Sequence, residues 1–274
     1  MNSKKAIPTV LVFDSGIGGL SVYNEIRQLM PDLHYIYAFD NEGFPYGDKP
    51  EEVIIERVCR FVEKIDQQYQ LDIAVIACNT ASTICLPALR EKFKFPIVGV
   101  VPAIKPATQL TKNKYIGLLA TKATINRAYT ADLIKQFAVD CQIELLGLSE
   151  LAWIAEDKLQ GQTVDIEQLR ELMQPWLTLP VIPDTIILGC THYPFIKDEL
   201  QQVFPDSLLI DSGVAIGSRV AFLLKEQLDN LTAESQVADN IAISSQDNAR
   251  LEKLKLIFKE YNLLNFKVIN IFSD

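Results

Sequence analysis

Two apolar runs in this chain end in the same way. Asp72-Ile-Ala-Val-Ile-Ala runs into Cys78-Asn79-Thr80-Ala81-Ser82, and Asp184-Thr-Ile-Ile-Leu-Gly runs into Cys190-Thr191-His192-Tyr193-Pro194. Each run reads as a buried parallel strand, and a helical pattern follows each polar turn. Turns of this kind, at the carboxyl ends of parallel strands, are where open α/β sheets place their chemistry.

The same alternation fills the rest of the chain. Strands are expected at 10–14, 34–40, 96–100, 114–120 and 207–211, besides the two cysteine strands. Helices are expected from the Ser15-Gly16-Ile17-Gly18-Gly19 turn to Met30, where Pro31 stops them, and over 81–93 and about 195–203. Another starts at Pro50-Glu51-Glu52 and runs to about 69. Proline suits a first helical turn, and acidic residues there complement the helix dipole. A further helix follows Thr121-Lys122-Ala123-Thr124. Alternating strands and helices imply parallel, doubly wound sheets. Each half has a polar turn after its first strand and a cysteine turn later on. We therefore read the fold as α/β: two similar α/β/α units with mainly parallel sheets facing each other across a cleft. The first comprises residues 1–100 plus 210–274, the second residues 101–209. The tail reads as a long helix from Ser212 to about 231, a polar stretch to 240, and a last helix near 247–261 between short strands.

Composition removes several function classes. Of 274 residues, 49% are apolar and 22% charged, a globular balance with ample core. A net charge of −9 argues against nonspecific nucleic-acid binding, which wants a basic face. The opening Met-Asn-Ser-Lys-Lys-Ala-Ile-Pro has no signal-type apolar stretch, and no run approaches a membrane span. The expected location is the cytoplasm, with no nucleic acid and no membrane as partner. An odd count of five cysteines fits reduced thiols. With two histidines and no Cys-x-x-Cys, no metal site is expected.

The residues themselves suggest a two-base site between the units. A flat carbanion held there would have one sulfur on each face. One thiolate removes a proton, the opposite thiol donates one, and the product is the mirror image of the substrate. Cysteine suits this role because its ordinary pKa of about 8.5 lies near neutrality and responds to its neighbours. Each cysteine precedes a helix, whose positive end favours the thiolate. Most free cysteines are inert core. That reading fits Cys59, Cys85 and Cys141, but not Cys78 and Cys190, which run into polar pairs. The Asp14-Ser15-Gly16-Ile17-Gly18-Gly19 turn resembles an anion loop and is expected to hold a substrate carboxylate on its backbone amides. Asp14 could accept an ammonium or assist a thiol, and His192 could assist as acid or base.

Phe13-Asp-Ser-Gly-Ile-Gly-Gly-Leu20, Pro45-Tyr46-Gly47, Ala77-Cys-Asn-Thr-Ala-Ser82 and Gly189-Cys-Thr-His-Tyr-Pro194 together resemble the signatures of the glutamate racemases, in the aspartate/glutamate racemase family. The resemblance implies cofactor-independent interconversion of L- and D-glutamate, with the D-isomer feeding peptidoglycan. It also implies roles. Cys78 would exchange the proton of D-glutamate, with Asp14 assisting. Cys190 would exchange that of L-glutamate, with His192 assisting. Asp14, Ser15, Tyr46, Gly47, Asn79, Thr80, Thr191 and His192 would bind substrate, Thr121 and Thr124 would line the site, and Glu156 matches an acidic residue beside the family's histidine. Glutamate would be the small-molecule partner; some members form homodimers, and some respond to a peptidoglycan precursor. Rival readings are a racemase for aspartate or another amino acid, a cysteine hydrolase, and an acidic amino-acid binding protein. A hydrolase leaves the second thiol unexplained, and a binding protein has no use for either.

Overall fold

The computed structural model describes residues 7–231 and 239–272, so most of the polar stretch read at 232–240 lies outside the described residues. The chain divides into two compact units, Met1–Val100 with Gly213–Asp274, and Val101–Ser212. Among the described residues no helix is long and apolar enough to cross a membrane.

The first unit begins with β1 (Thr9–Asp14), α1 (Leu20–Leu29), β2 (His34–Phe39), α2 (Glu51–Tyr69), β3 (Ile73–Ile76), α3 (Asn79–Lys92) and β4 (Ile97–Gly99). Every residue of β1 and β3 is buried, which is why both read as unbroken apolar runs. In α2, Ile54, Val58, Phe61, Val62 and Ile65 recur at helical spacing and face the core. Each such burial contributes about 1.5–3 kcal/mol against the entropy of ordering the chain. The helix opens after Pro50 with Glu51 and Glu52 in its first turn. It ends where Gln70 turns left-handed, at φ 53°.

The second unit holds α4 (Ile104–Leu110), β5 (Tyr115–Ala120), α5 (Lys122–Ile125), α6 (Ala128–Phe137), β6 (Gln142–Gly147), α7 (Leu151–Leu159), α8 (Ile166–Leu172), α9 (Gln174–Leu177), β7 (Thr185–Gly189), a 3-10 turn (Tyr193–Ile196), α10 (Lys197–Val203) and β8 (Leu208–Ile210). The chain then returns to the first unit as α11 (Gly213–Leu223), α12 (Lys225–Asp229), β9 (Ile241–Ser244), α13 (Ala249–Glu260) and β10 (Asn265–Val268).

Both sheets are parallel throughout. The second has the order β6-β5-β7-β8, and the first has β10-β9-β2-β1-β3-β4. The run β2-β1-β3-β4 of the first sheet therefore repeats the order of the second: second, first, third, fourth. In this order the chain reverses direction of winding beside the first strand, and the crevice at the carboxyl ends of the first and third strands is where such sheets bind ligands. Asp14 ends one first strand and Thr121 follows the other; Cys78 and Cys190 follow the two third strands.

The long helix expected from Ser212 is two helices, parted at Leu224, where ψ turns to 4°. The reason lies in what each piece can bury. Ile216, Gly217 and Val220 give α11 an inner face, whereas α12 has no buried residue to extend it. Gly217 lets α11 lie close on α1, since a Cβ there would stand 2.9 Å from a Leu29 methyl and 3.2 Å from the Glu25 carbonyl oxygen.

Candidate active site

Cys78 sits where β3 becomes α3. It is the N-cap residue, with extended backbone (φ −60°, ψ 116°), and its Sγ accepts from the Ala81 amide at 3.5 Å. A sulfur replaces the usual capping oxygen, so α3 starts at Asn79, two residues earlier than the apolar pattern suggests. The amide and the helix end both favour negative charge on sulfur. Ser15 Oγ lies 3.6 Å from the same sulfur. Ser15 follows Asp14, and β1 pairs directly with β3, so sheet register brings the two turns together.

The glycine turn departs from expectation. The amides of Gly16 and Gly19 donate to Asp14 Oδ2, at 3.2 and 3.1 Å, and do not stand open for a substrate carboxylate. A buried carboxylate needs donors, and these are the nearest. Tyr37 donates to the Gly16 carbonyl at 2.9 Å and fixes the turn from the neighbouring strand. Gly19 is needed for closeness: a Cβ there would stand 2.7 Å from Asp14 Cβ and 3.1 Å from Ala77 Cβ.

Asn79 and Thr80 are buried in the first turn of α3. Asn79 Nδ2 donates to the Val100 carbonyl at 3.2 Å. Ser82, which sequence reasoning quoted but gave no role, donates to the Ile76 carbonyl at 2.6 Å and accepts from the Val100 amide at 3.0 Å. It ties the ends of β3 and β4 to the helix that Cys78 caps.

Tyr46 packs in the same core cluster as Cys78 and is 1% exposed. Its hydroxyl donates to Asp40 Oδ2 at 2.7 Å, so a ligand must use other groups of the Tyr46-Gly47 turn. Asp40 in turn accepts from Arg57 Nε at 2.6 Å and Nη2 at 2.8 Å. Burial would raise the Asp40 pKa, but hydrogen bonds from Arg57, Ser245 and Tyr46 outweigh it and hold the carboxyl below its ordinary value. The same burial and the adjoining Asp40 charge push the Tyr46 phenol well above its ordinary value. Gly43 has no room for a side chain, because a Cβ would strike Asp40 and stand 2.7 Å from Arg57 Nε. Nothing in the sequence pattern singles out Asp40 or Arg57.

In the second unit the structure brings Cys190, His192 and Glu156 together. Cys190 Sγ lies 3.8 Å from His192 Nδ1, and His192 Nε2 lies 3.1 Å from Glu156 Oε1. The His192 and Glu156 side chains are 4% and 2% exposed. Burial alone would lower the His192 pKa; hydrogen bonds and charge from Cys190 and Glu156 win, and push it up to about 10. With both ring nitrogens protonated, one N–H points at sulfur and the other at the carboxylate. Cys190 differs here from Cys78. The segment after it is a 3-10 turn, Tyr193–Ile196, and its charge partner is an imidazole instead of a helix end. Thr191 is buried beside it. Thr121 follows β5, whose Ala120 pairs with Gly189, so it stands at the neighbouring strand end. Its Oγ1 accepts from the Thr124 amide at 3.2 Å and lies 2.9 Å from Thr124 Oγ1, capping α5. Trp153 is half exposed on the helix that carries Glu156.

Burial raises the Cys85 and Cys59 pKa values. Among the described residues no cysteines are joined in a disulfide, and no three His, Cys, Asp or Glu side chains gather as a metal site.

Comparison with known proteins agrees with this arrangement of strands. A glutamate racemase of Photorhabdus laumondii is 56% identical over 260 residues, covering 94% of this chain and 90% of that protein. One from Salmonella typhimurium is 57% identical over 255 residues, covering 93% and 89%. The crystal structure of Escherichia coli glutamate racemase, in complex with L-glutamate and the activator UDP-MurNAc-ala, superposes with a TM-score of 0.91 at 50% identity, covering 97% of this chain and 100% of that one. The model of the Asp/Glu/Hydantoin racemase family matches residues 10–219. Those residues include β1 through β8 and both cysteine turns, and the chain belongs to that family.

Proposed function

We propose that this chain is an isomerase that interconverts L- and D-glutamate, with Cys78 and Cys190 acting on opposite faces of the α-carbon. The observation that carries the reading is the pair of thiols at equivalent strand ends, each with its own means of holding negative charge. From L-glutamate, the Cys190 thiolate takes the α-proton: the C–H bond breaks, an S–H bond forms, and a planar carbanion remains. The Cys78 thiol gives its proton to the opposite face, forming the new C–H bond and leaving a thiolate. D-Glutamate runs the same steps in reverse. His192, held by Glu156, steadies charge on Cys190; Ser15 and the amide end of α3 do so for Cys78. Asp14 assists the Cys78 side. Asn79, Thr80, Thr121, Thr124, Thr191 and the Tyr46-Gly47 turn frame the substrate, and all these groups belong to the chain itself, so no cofactor is called upon.

The product D-glutamate supplies peptidoglycan synthesis in the cytoplasm. The Escherichia coli relative binds L-glutamate and the activator UDP-MurNAc-ala. An activator of that kind is the regulatory partner we expect here.

Incubation with L-glutamate in D₂O, after exhaustive chelation and without added cofactor, tests the proposal. The expected result is D-glutamate carrying α-deuterium, with circular dichroism decaying to zero. Activity that appears only on adding pyridoxal phosphate, or none with glutamate beside activity with aspartate, would refute it.

A further inference from the structure

The contact between His192 and Glu156 joins two separate stretches of chain, and a clasp on each side brackets it. On one stretch, Leu148 follows β6 and leads into α7, which carries Glu156 and Lys158. On the other, Cys190, His192, Tyr193 and Phe195 lie within six residues after β7, with Glu199 on α10. Tyr193 is fully buried, and its hydroxyl donates to the Leu148 carbonyl at 2.6 Å. At the far end of α7, Lys158 Nζ donates to the Phe195 carbonyl and to Glu199, both at 2.8 Å. Between these clasps the imidazole spans 3.8 Å to sulfur and 3.1 Å to the carboxylate. Neither reach leaves room for drift, and a misplacement of about 1 Å at a reacting group can cost a hundredfold in rate. Burial pushes the Tyr193 phenol well above its ordinary value, with the Cys190 charge adding to it. The hydroxyl therefore remains a donor across the working range.

We propose that Tyr193 is a positioning residue for the Cys190 half of the reaction: its hydroxyl, bonded to the Leu148 carbonyl, holds the Cys190–His192 turn in register with α7, so that the imidazole stays between sulfur and Glu156. Lys158 serves as the second clasp. The inference rests on the racemase reading above.

Kinetics can separate this role from a merely structural one. Enantiomers have equal free energies, so kcat/KM must fall by the same factor in both directions whichever half is damaged. Isotope effects are not bound in this way. If the Cys190 step is slowed, α-deuterated L-glutamate should show a larger primary isotope effect, because C–D cleavage by Cys190 then limits the rate. α-Deuterated D-glutamate should show a smaller one, because its C–D bond is broken by Cys78 before the slow step. A loss of folded enzyme moves neither. Tyr193→Phe keeps the ring and should lower kcat/KM by about two- to tenfold, the worth of one hydrogen bond, with the two isotope effects moving apart. Lys158→Met, at a side chain 32% exposed, should give the same opposed shift and covers the case in which Tyr193→Phe does not fold. Tyr35→Phe is the control: it deletes an equally short buried bond, Tyr35 to the Met30 carbonyl at 2.6 Å, and should leave both isotope effects unchanged. Folded variants at 193 and 158 with wild-type isotope effects would overturn the inference and leave the racemase reading standing. A wild-type protein that does not racemise glutamate would overturn both.

Discussion

Replacing Glu156 with glutamine removes a charge at the His192 contact. The amide oxygen can still accept from His192 Nε2 across 3.1 Å, and both side chains are buried, so water does not refill the site. At this contact, what changes is the strength of the hydrogen bond. A bond to a charged group contributes about 1.5–3 kcal/mol and a neutral one about 0.5–1.5, a difference of about 1–2 kcal/mol. If that difference is felt while Cys190 holds or loses its proton, kcat/KM falls by about 5- to 30-fold, equally from L- and from D-glutamate. The chain has two histidines, so NMR can follow each imidazole directly. His34 should titrate below its ordinary value, because burial lowers it. His192 should titrate near 10, and Glu156→Gln should bring it down, since Glu156 is one of the groups raising it. The linked stability follows in sign. A histidine whose folded pKa is raised above 6.5 contributes stability that is complete below pH 6.5 and lost as pH rises through about 10. In Glu156→Gln that loss should still begin near pH 6.5 but be complete at lower pH. A His192 resonance that titrates below 6.5 in the wild type, or kcat/KM within twofold of wild type in the variant, would refute the reasoning.

Three further outcomes are expected. Cys78→Ala and Cys190→Ala should each abolish racemisation, while Cys190→Ala retains some α-hydrogen exchange with D-glutamate and Cys78→Ala some with L-glutamate; near-normal racemisation by either folded variant, measured by chiral chromatography, would dismiss the paired-thiol mechanism. Iodoacetamide followed by peptide mass analysis should label Cys78 and Cys190 ahead of Cys59, Cys85 and Cys141, with glutamate protecting the first two; burial raises the Cys59 and Cys85 thiols and slows them. Arg57→Met should leave the Asp40 carboxylate buried without its main partner and cost about 3–5 kcal/mol in urea unfolding. Because the Asp40 pKa is depressed in the folded state, its contribution is present above the ordinary 3.8 and lost as pH falls through the folded value. The gap between variant and wild type should therefore narrow in acid, and a gap independent of pH would argue against this ion pair.

The sequence by itself determined the alternation of strands and helices and the two cysteine turns. The reason is that both are local. Strands buried on both faces are apolar along most of their length, as residues 10–13, 73–76 and 186–188 are, and the polar residues after each mark the strand's end. The repeat of two α/β units, and the family signatures lying on it, are legible for the same reason. Other features depend on partners distant in the chain. That Asp14 draws the Gly16 and Gly19 amides to itself follows from its burial, which no motif records. That Tyr46 gives its hydroxyl to Asp40 requires Arg57, on a helix with ordinary amphipathic spacing, to make Asp40 a buried anion. The break at Leu224 arises because the inner face of α11 runs out of anything to bury. The two thiols, alike in sequence, are held differently by the fold. Cys78 caps a helix, and Cys190 meets an imidazole that Glu156 bonds from a separate stretch of chain. Sequence spacing can name a thiol as a candidate base. Only tertiary packing sets the charge and hydrogen bonds around it, because those come from residues that are neighbours in space alone.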